Sequence, residues 1–370
     1  MRIAFLGIRG VPANYGGFET FVEQLGRRLV ERGDDVTVYG RSSFVAAGIR
    51  SYLGMRIVRL PAPRSKYMET VVHSLFATFH AAIQPYDLVY VCNSANVPAV
   101  VLLRLLGKHV VLNVDGLEWQ RAKWNRLGKL YYRACASLAA RLPVHLVTDA
   151  RVIQAYYERA YGRSTNYFAY GTDLGSTPDD GTLAGLRLKP GRYVLYVSRL
   201  EPENNAHVVI EAYRSVRTDL PLAILGDAPY ASEYILSLKS TTDSRVRFLG
   251  AIYGHGYHVL RSNAAAYVQA TEVGGTHPAL VEAMGAGNAI VANDVPEHRE
   301  VLGDAGRYYR GPMELAAALQ ELLDDPEATA RQRSAAHARA AALYSWDAVA
   351  NAYRSWFRRL VQPGPKRLAP

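Results

Sequence analysis

Gly274-Gly275-Thr276-His277-Pro278-Ala279-Leu280-Val281-Glu282-Ala283-Met284-Gly285-Ala286-Gly287 runs directly into the apolar Ala289-Ile290-Val291-Ala292. The stretch reads as a glycine turn, a short helix and a buried strand, the repeating unit of an α/β sheet. Pro278 suits the first helical position, where its missing N–H costs nothing, so the amides of Gly274, Gly275, Thr276 and His277 stay free to face a diphosphate. Glu282 falls near the second turn of that helix, placed to accept hydrogen bonds from hydroxyl groups. A nucleotide diphosphate-sugar carries both features. The same residues also read as a glycine-rich turn ahead of a packing helix.

Working outward, apolar runs predict strands at Tyr193 to Val197, Leu222 to Leu225, Val246 to Leu249, Ala265 to Gln269 and Ala289 to Ala292. An earlier series is predicted at Ile3 to Gly7, Asp35 to Tyr39, Leu88 to Cys92, His109 to Val114 and Val144 to Val147. Amphipathic segments separate the strands, which implies parallel sheets. The first helix is expected from about Phe18 to Gly33, and others after Pro312, Pro326 and Ser345. Between the two series, residues 171 to 191 are rich in Gly, Ser, Thr, Pro and Asp and read as an interdomain linker. The chain of 370 residues thus divides into lobes at 1–172 and 190–345, each long enough to bury a core, with a final segment over 346–370.

With 49% hydrophobic and 21% charged residues the composition is that of a soluble globular protein. No run has the length of a membrane span or the shape of a signal peptide, which predicts a cytosolic chain or one peripheral to a membrane. Cys92 and Cys135 lack companions at metal-ligand spacing and read as small buried hydrophobes. The net charge of +10 is uneven: residues 1–170 hold 22 Lys and Arg against 11 Asp and Glu, and 171–350 hold 16 against 22. The last twenty residues add Arg354, Arg358, Arg359, Lys366 and Arg367 with no acid. Such asymmetry predicts a surface that meets something anionic. Nucleic acid is disfavoured, because no helix-turn-helix, zinc or RNP signature is present; an anionic bilayer or a lipid diphosphate fits.

Three further segments carry candidate chemistry. In Gly7-Ile8-Arg9-Gly10-Val11-Pro12-Ala13-Asn14-Tyr15-Gly16-Gly17-Phe18-Glu19-Thr20, the pair Gly16-Gly17 at a helix start lets backbone approach a phosphate or sugar, and Arg9 could pair with an anion. Arg9 also reads as a solvated loop charge, and Glu19 as a first-turn residue favoured by the helix dipole. In Asn113-Val114-Asp115-Gly116-Leu117-Glu118-Trp119-Gln120-Arg121-Ala122-Lys123-Trp124, Asp115 and Glu118 follow a strand end, where carboxylates bind sugar hydroxyls or help remove a proton from one. Asp115 as a helix cap, a solvated Glu118, Arg121 and Lys123 face, and core tryptophans are the alternatives. In Ser198-Arg199-Leu200-Glu201-Pro202-Glu203-Asn204-Asn205, Arg199 could neutralise a leaving diphosphate, or simply pair with Glu201.

These four ordered motifs resemble the GT-B glycosyltransferases of family four, in the subgroup with a rhamnosyltransferase-like N-terminal domain from bacterial polysaccharide assembly. The resemblance covers nearly the whole chain. It implies an α/β GT-B fold: two Rossmann-like parallel-sheet lobes facing across a cleft, with the C-terminal helix crossing back to the N-lobe. The N-lobe would bind the acceptor, with Arg9, Asn14, Gly16, Gly17, Glu19 and Glu118 on the acceptor side or in a phosphate loop. The C-lobe would bind the donor through Arg199, Asn204, Gly274, Gly275, Thr276, His277 and Glu282. Asp115, Arg199 and Glu282 would carry catalysis. The wider family has two glutamates separated by seven residues, and the first falls on Gly274; its diphosphate lysine falls on Asn204.

The expected activity is a retaining, metal-independent transfer of a sugar, rhamnose from dTDP-rhamnose, to a lipid-diphosphate-linked saccharide on the cytosolic face of the membrane. No cofactor is expected, since the sugar nucleotide is a substrate and no Asp-x-Asp motif is present. Three other readings stay open: a transferase using another UDP- or GDP-sugar, a GT-B enzyme that epimerises or hydrolyses sugar nucleotides, and a non-catalytic module that binds lipid or nucleic acid through the basic face.

Overall fold

The computed structural model describes residues 1–63, 68–114, 116–122, 124–228 and 231–362. Asp115, Lys123, Tyr67, Lys366 and Arg367 therefore lie outside the described residues. The chain forms two compact units. Residues 1–119 and 126–169 with the C-terminal helix Trp346–Val361 make the first, and residues 120–125 with 170–345 make the second.

The first unit is built on eight strands: β1 (Arg2–Leu6), β2 (Asp35–Arg41), β3 (Ser51–Tyr52), β4 (Met55–Leu60), β5 (Leu88–Cys92), β6 (Val110–Asn113), β7 (His145–Thr148) and β8 (Asn166–Tyr167). Their order is β3-β4-β2-β1-β5-β6-β7-β8, parallel except where β3 turns back on β4. Helix α1 (Gly17–Glu31) buries Phe21, Val22, Leu25 and Leu29 on one stripe, and the Gly33 N–H closes its end on the carbonyl of Val30 at 2.9 Å. The C-terminal helix packs into the same core. Tyr353 stacks on Phe168 at 4.3 Å between centroids and meets Phe21 at 5.6 Å, while Tyr90 contacts Phe357 at 6.0 Å. Aromatic pairs at these separations add roughly 0.5–1.5 kcal/mol each beyond their buried area. Arg354 donates to the buried Asp34 at 2.6 Å, so this basic residue of the tail is compensated rather than free.

The second unit adds β9 (Val194–Val197), β10 (Leu222–Leu225), β11 (Val246–Gly250), β12 (Ala266–Gln269), β13 (Ile290–Asn293) and β14 (Arg307–Tyr309). The sheet is parallel in the order β11-β10-β9-β12-β13-β14. The first strand of this unit is therefore central, flanked by its second and fourth, the doubly wound arrangement. Val194, Tyr196, Ile224, Val268 and Val291 bury their side chains in one apolar core with Val209, Tyr213, Leu315 and Leu319.

Residues 171–191 are not a loose linker. Asp179 caps the turn Thr182–Gly185 by accepting from the Leu183 N–H at 3.1 Å, Leu183 is fully buried, and Gly175 N–H donates to Gly285 O at 3.2 Å. The turn-forming residues fold into the second unit as caps and bends. β4 eludes the apolar-run reading because Arg56 and Arg59 interrupt it: Met55 and Ile57 point inward and the arginines do not.

Candidate functional site

In a doubly wound sheet the loops on either side of the strand-order switch diverge and leave a crevice at the carboxyl edge. In the second unit the switch lies between β9 and β12. The loop after β9 carries Arg199, and the loop after β12 carries Gly274 to His277. The Glu272 N–H donates to Glu203 O at 3.1 Å and Asn205 Nδ2 donates to Ala270 O at 3.0 Å, which ties the two loops together.

Tyr196 OH donates to Asn204 O at 2.6 Å, and Asn204 Nδ2 donates to Arg199 O at 2.7 Å. Asn204 is buried, so its amide shapes the loop and does not reach out of it. The neighbouring Gly226, at φ 149°, has no room for a side chain because a Cβ would overlap the carbonyl of Ser198. Arg199 Nη1 stands 3.6 Å from Glu201 Oε2 and its side chain keeps 27% of its exposure. It pairs with Glu201, as the alternative reading had it, and still reaches solvent.

Helix Pro278–Gly285 begins after an extended His277, with Pro278 in its first turn. Among the described residues, the N–H groups of Gly274, Gly275 and His277 meet no acceptor. Three amide donors at a helix start, where the peptide dipoles also favour negative charge, suit an anion. Thr276 is buried within the same turn. A Cβ on Gly274 would lie 2.6 Å from His277 Cε1, so glycine there lets the imidazole occupy that space. His277 Nε2 lies 3.1 Å from Thr271 Oγ1, and Thr271 Oγ1 lies 3.1 Å from His298 Nε2. Burial, His298, and the charges of Arg121 and Arg199 hold the His277 pKa well below the ordinary histidine value.

Glu282 is buried on the same helix. Tyr257 OH donates to its Oε2 at 2.6 Å, and Arg261 Nη1 lies 3.5 Å from that oxygen. Burial raises the Glu282 pKa despite the opposing pull of Arg261 and the Tyr257 bond. Oε1 takes part in neither contact, which leaves one carboxylate oxygen for another donor. Tyr257 and Arg261 stand one turn apart on helix Gly254–Ser262, so both reach Glu282 from one face. They were missed in the sequence; the only signal was their spacing of four, with nothing to connect it to a glutamate 25 residues beyond Tyr257.

Other expectations change. Arg121 is buried in the second unit, with Nη1 4.0 Å from Glu203 Oε1, so it does not add to a basic surface. Glu118 is also buried, not solvated, and Trp119 packs on Tyr156 at 5.7 Å. In the first unit, Arg9 lies 3.6 Å from Glu69 and 3.4 Å above the Tyr15 ring, where it is neither a solvated charge nor an unpaired anion ligand. Glu19 accepts from the Arg9 N–H at 2.8 Å and Glu23 from the Ala13 N–H at 2.7 Å, so two carboxylates of α1 staple the loop. Asn14 Nδ2 donates to Phe44 O at 3.1 Å; Gly16 caps α1 in an extended conformation and Gly17 begins it. Cys92 and Cys135 are both buried and neither forms a disulfide. Among the described residues, no three His, Cys, Asp or Glu side chains gather to hold a metal ion, and no helix is long and apolar enough to cross a membrane.

Residues 185–339 match the family described as "Glycosyl transferases group 1", and residues 88–173 match a domain of unknown function, DUF1972. The chain is 28% identical over 120 residues to O-antigen chain mannosyltransferase B of Escherichia coli, covering 31% of this chain and 32% of that protein. It is 27% identical over 241 residues to phosphatidyl-myo-inositol mannosyltransferase of Mycobacterium leprae, covering 58% and 63%. The matches thus span about a third and just under two thirds of these relatives. The structure superposes on Anabaena HepE in complex with UDP and glucose with a TM-score of 0.78, at 18% identity, over 97% of this chain and 100% of that one. The chain therefore has the α/β GT-B fold, and most of its second unit matches the group 1 glycosyl transferase model.

Proposed function

We propose that this protein is a retaining, metal-independent glycosyltransferase that moves a sugar from a nucleotide diphosphate to a lipid-diphosphate-linked saccharide during cell-surface polysaccharide synthesis. Rhamnose from dTDP-rhamnose is the donor we favour. The observation that carries the reading is the trio of acceptor-free amides at Gly274, Gly275 and His277, at the switch point of the unit that matches a glycosyl transferase family. Those amides and Arg199 would hold the diphosphate, and Glu282, steadied by Tyr257 and Arg261, would accept from the ribose hydroxyls.

The sugar C1–O bond to the β-phosphate breaks as the acceptor oxygen bonds to C1 on the same face. The acceptor proton passes to the departing phosphate. The protein contributes position and fixed charge, which lower the barrier without a covalent intermediate. The first unit, with its loop at Gly16 and Gly17, would take the acceptor.

Two features support a site at a membrane surface. The mannosyltransferase of M. leprae is named for a phospholipid acceptor. On helix α2 (Met68–Ala82), Met68, Val71, Leu75, Phe76 and Phe79 line one face, each 48–54% exposed, in the part of the chain that carries the excess of basic residues. An apolar stripe within a basic region is the pattern of interfacial association.

The test offers labelled dTDP-rhamnose, UDP-glucose and GDP-mannose, each with a lipid-diphosphate-linked saccharide and anionic vesicles. Label should move from one donor into the lipid fraction with retained anomeric configuration. Release of free sugar or an epimerised nucleotide, equal with and without acceptor, would favour the hydrolase or epimerase reading instead.

A further inference from the structure

A chain of hydrogen bonds fixes which nitrogen of His277 carries the proton. Asn293 O lies 2.9 Å from His298 Nδ1, and a carbonyl only accepts, so His298 carries its proton on Nδ1. The His298 pKa is pushed down to about 4 by burial, which leaves the ring neutral with a lone pair on Nε2. Thr271 Oγ1 lies 3.1 Å from Nε2 and Gln269 Nε2 lies 3.5 Å from it, and the shorter contact assigns the Thr271 hydroxyl proton to that lone pair. The hydroxyl has one proton to give. Its oxygen therefore accepts from its other neighbours, Gln269 Nε2 at 2.6 Å and His277 Nε2 at 3.1 Å. Gln269 is oriented for this because its Oε1 takes the Tyr267 hydroxyl proton at 3.2 Å. His277 is neutral too, so the proton sits on Nε2 and Nδ1 holds a lone pair. Nδ1 has no partner among the described residues, and His277 as a whole is only partly buried.

We propose that His277 Nδ1 accepts a hydrogen bond from a hydroxyl of the sugar carried by the nucleotide, and so helps select that sugar. This rests on the donor-site reading above. Backbone amides and Arg199 recognise phosphate oxygens, which only accept, whereas a sugar hydroxyl needs an acceptor for its proton. The imidazole supplies it from the space that Gly274 leaves empty.

The experiment compares UDP with UDP-glucose, dTDP with dTDP-rhamnose and GDP with GDP-mannose by titration calorimetry on the full chain. His277→Phe keeps a flat ring and removes the lone pair. It should weaken the sugar nucleotide that the wild type binds best by about tenfold and leave the matching diphosphate within twofold. Thr271→Val removes the acceptor that fixes the proton on Nε2 and should give a smaller loss, again confined to the sugar nucleotide. Melting temperatures confirm that both variants are folded. Equal losses for diphosphate and sugar nucleotide in either variant, or no loss for the sugar nucleotide, would overturn the assignment while leaving the function intact. If the wild type binds none of the six, the functional reading falls and this one with it.

Discussion

Glu282→Gln separates affinity from stability. The amide keeps the size of the side chain and an oxygen for the Tyr257 hydroxyl, 2.6 Å away, but removes the charge that lies 3.5 Å from Arg261. The Glu282 pKa is raised above its ordinary value of 4.5, with burial outweighing Arg261, so its surroundings as a whole favour the neutral form. A carboxyl raised on folding binds its proton more tightly in the folded chain than in the unfolded one. It stabilises below pH 4.5, and that contribution is lost as the pH climbs through the raised value. At neutral pH the ionised Glu282 is a net cost to folding, and glutamine removes it. The melting temperature at pH 7.5 should therefore hold or rise, and the slope of stability against pH just above 4.5 should flatten. Hydrogen bonds to a charged group contribute roughly 1.5–3 kcal/mol, so the loss of one to a ribose hydroxyl weakens binding about ten- to a hundredfold. Calorimetry with UDP, and with dTDP, which lacks the 2′-hydroxyl, measures the first effect, and thermal unfolding from pH 4 to 8 the second. A variant that melts several degrees lower and binds both nucleotides unchanged would make Glu282 a structural residue and refute the reasoning.

Arg199→Ala should cost at least about 1.5 kcal/mol in nucleoside diphosphate binding and much less for the monophosphate, because the lost bonds are charge-assisted contacts to phosphate; equal losses would remove the role. Phe76→Glu combined with Phe79→Glu, two half-exposed positions, should abolish sedimentation with anionic vesicles at low salt and leave the melting temperature unchanged. Wild-type binding to those vesicles should fade as ionic strength rises, and binding to zwitterionic vesicles should be absent. EDTA should leave nucleotide binding and transfer unaltered if the amides and Arg199 neutralise the diphosphate by themselves.

Where burial is continuous the strands are legible: Leu88–Cys92 and Leu222–Leu225 are buried at every residue and stand out as apolar runs. Met55–Leu60 is hidden because its alternation places arginines between the inward residues, and Ser51–Tyr52 and Asn166–Tyr167 are too short for any periodicity to show. Asp179 and Asp180 look like linker residues because the side chains that cap a helical turn are those that populate loops. At the site, the glycine turn and Glu282 are local in sequence and can be read there. Tyr257, Arg261, Thr271 and His298 act through partners on other elements, and no linear pattern records that proximity. Charge misled for the same reason: Arg9, Arg121 and Arg354 count as basic surface in the sequence, and the fold sets each near a carboxylate.

The most direct measurement is a crystal structure of the protein grown with UDP or dTDP. The account predicts diphosphate oxygens at roughly 2.7–3.2 Å from the N–H groups of Gly274, Gly275 and His277 and from the Arg199 guanidinium, with the ribose against Glu282. A nucleotide bound with its phosphates elsewhere, and these amides facing only water, would contradict it.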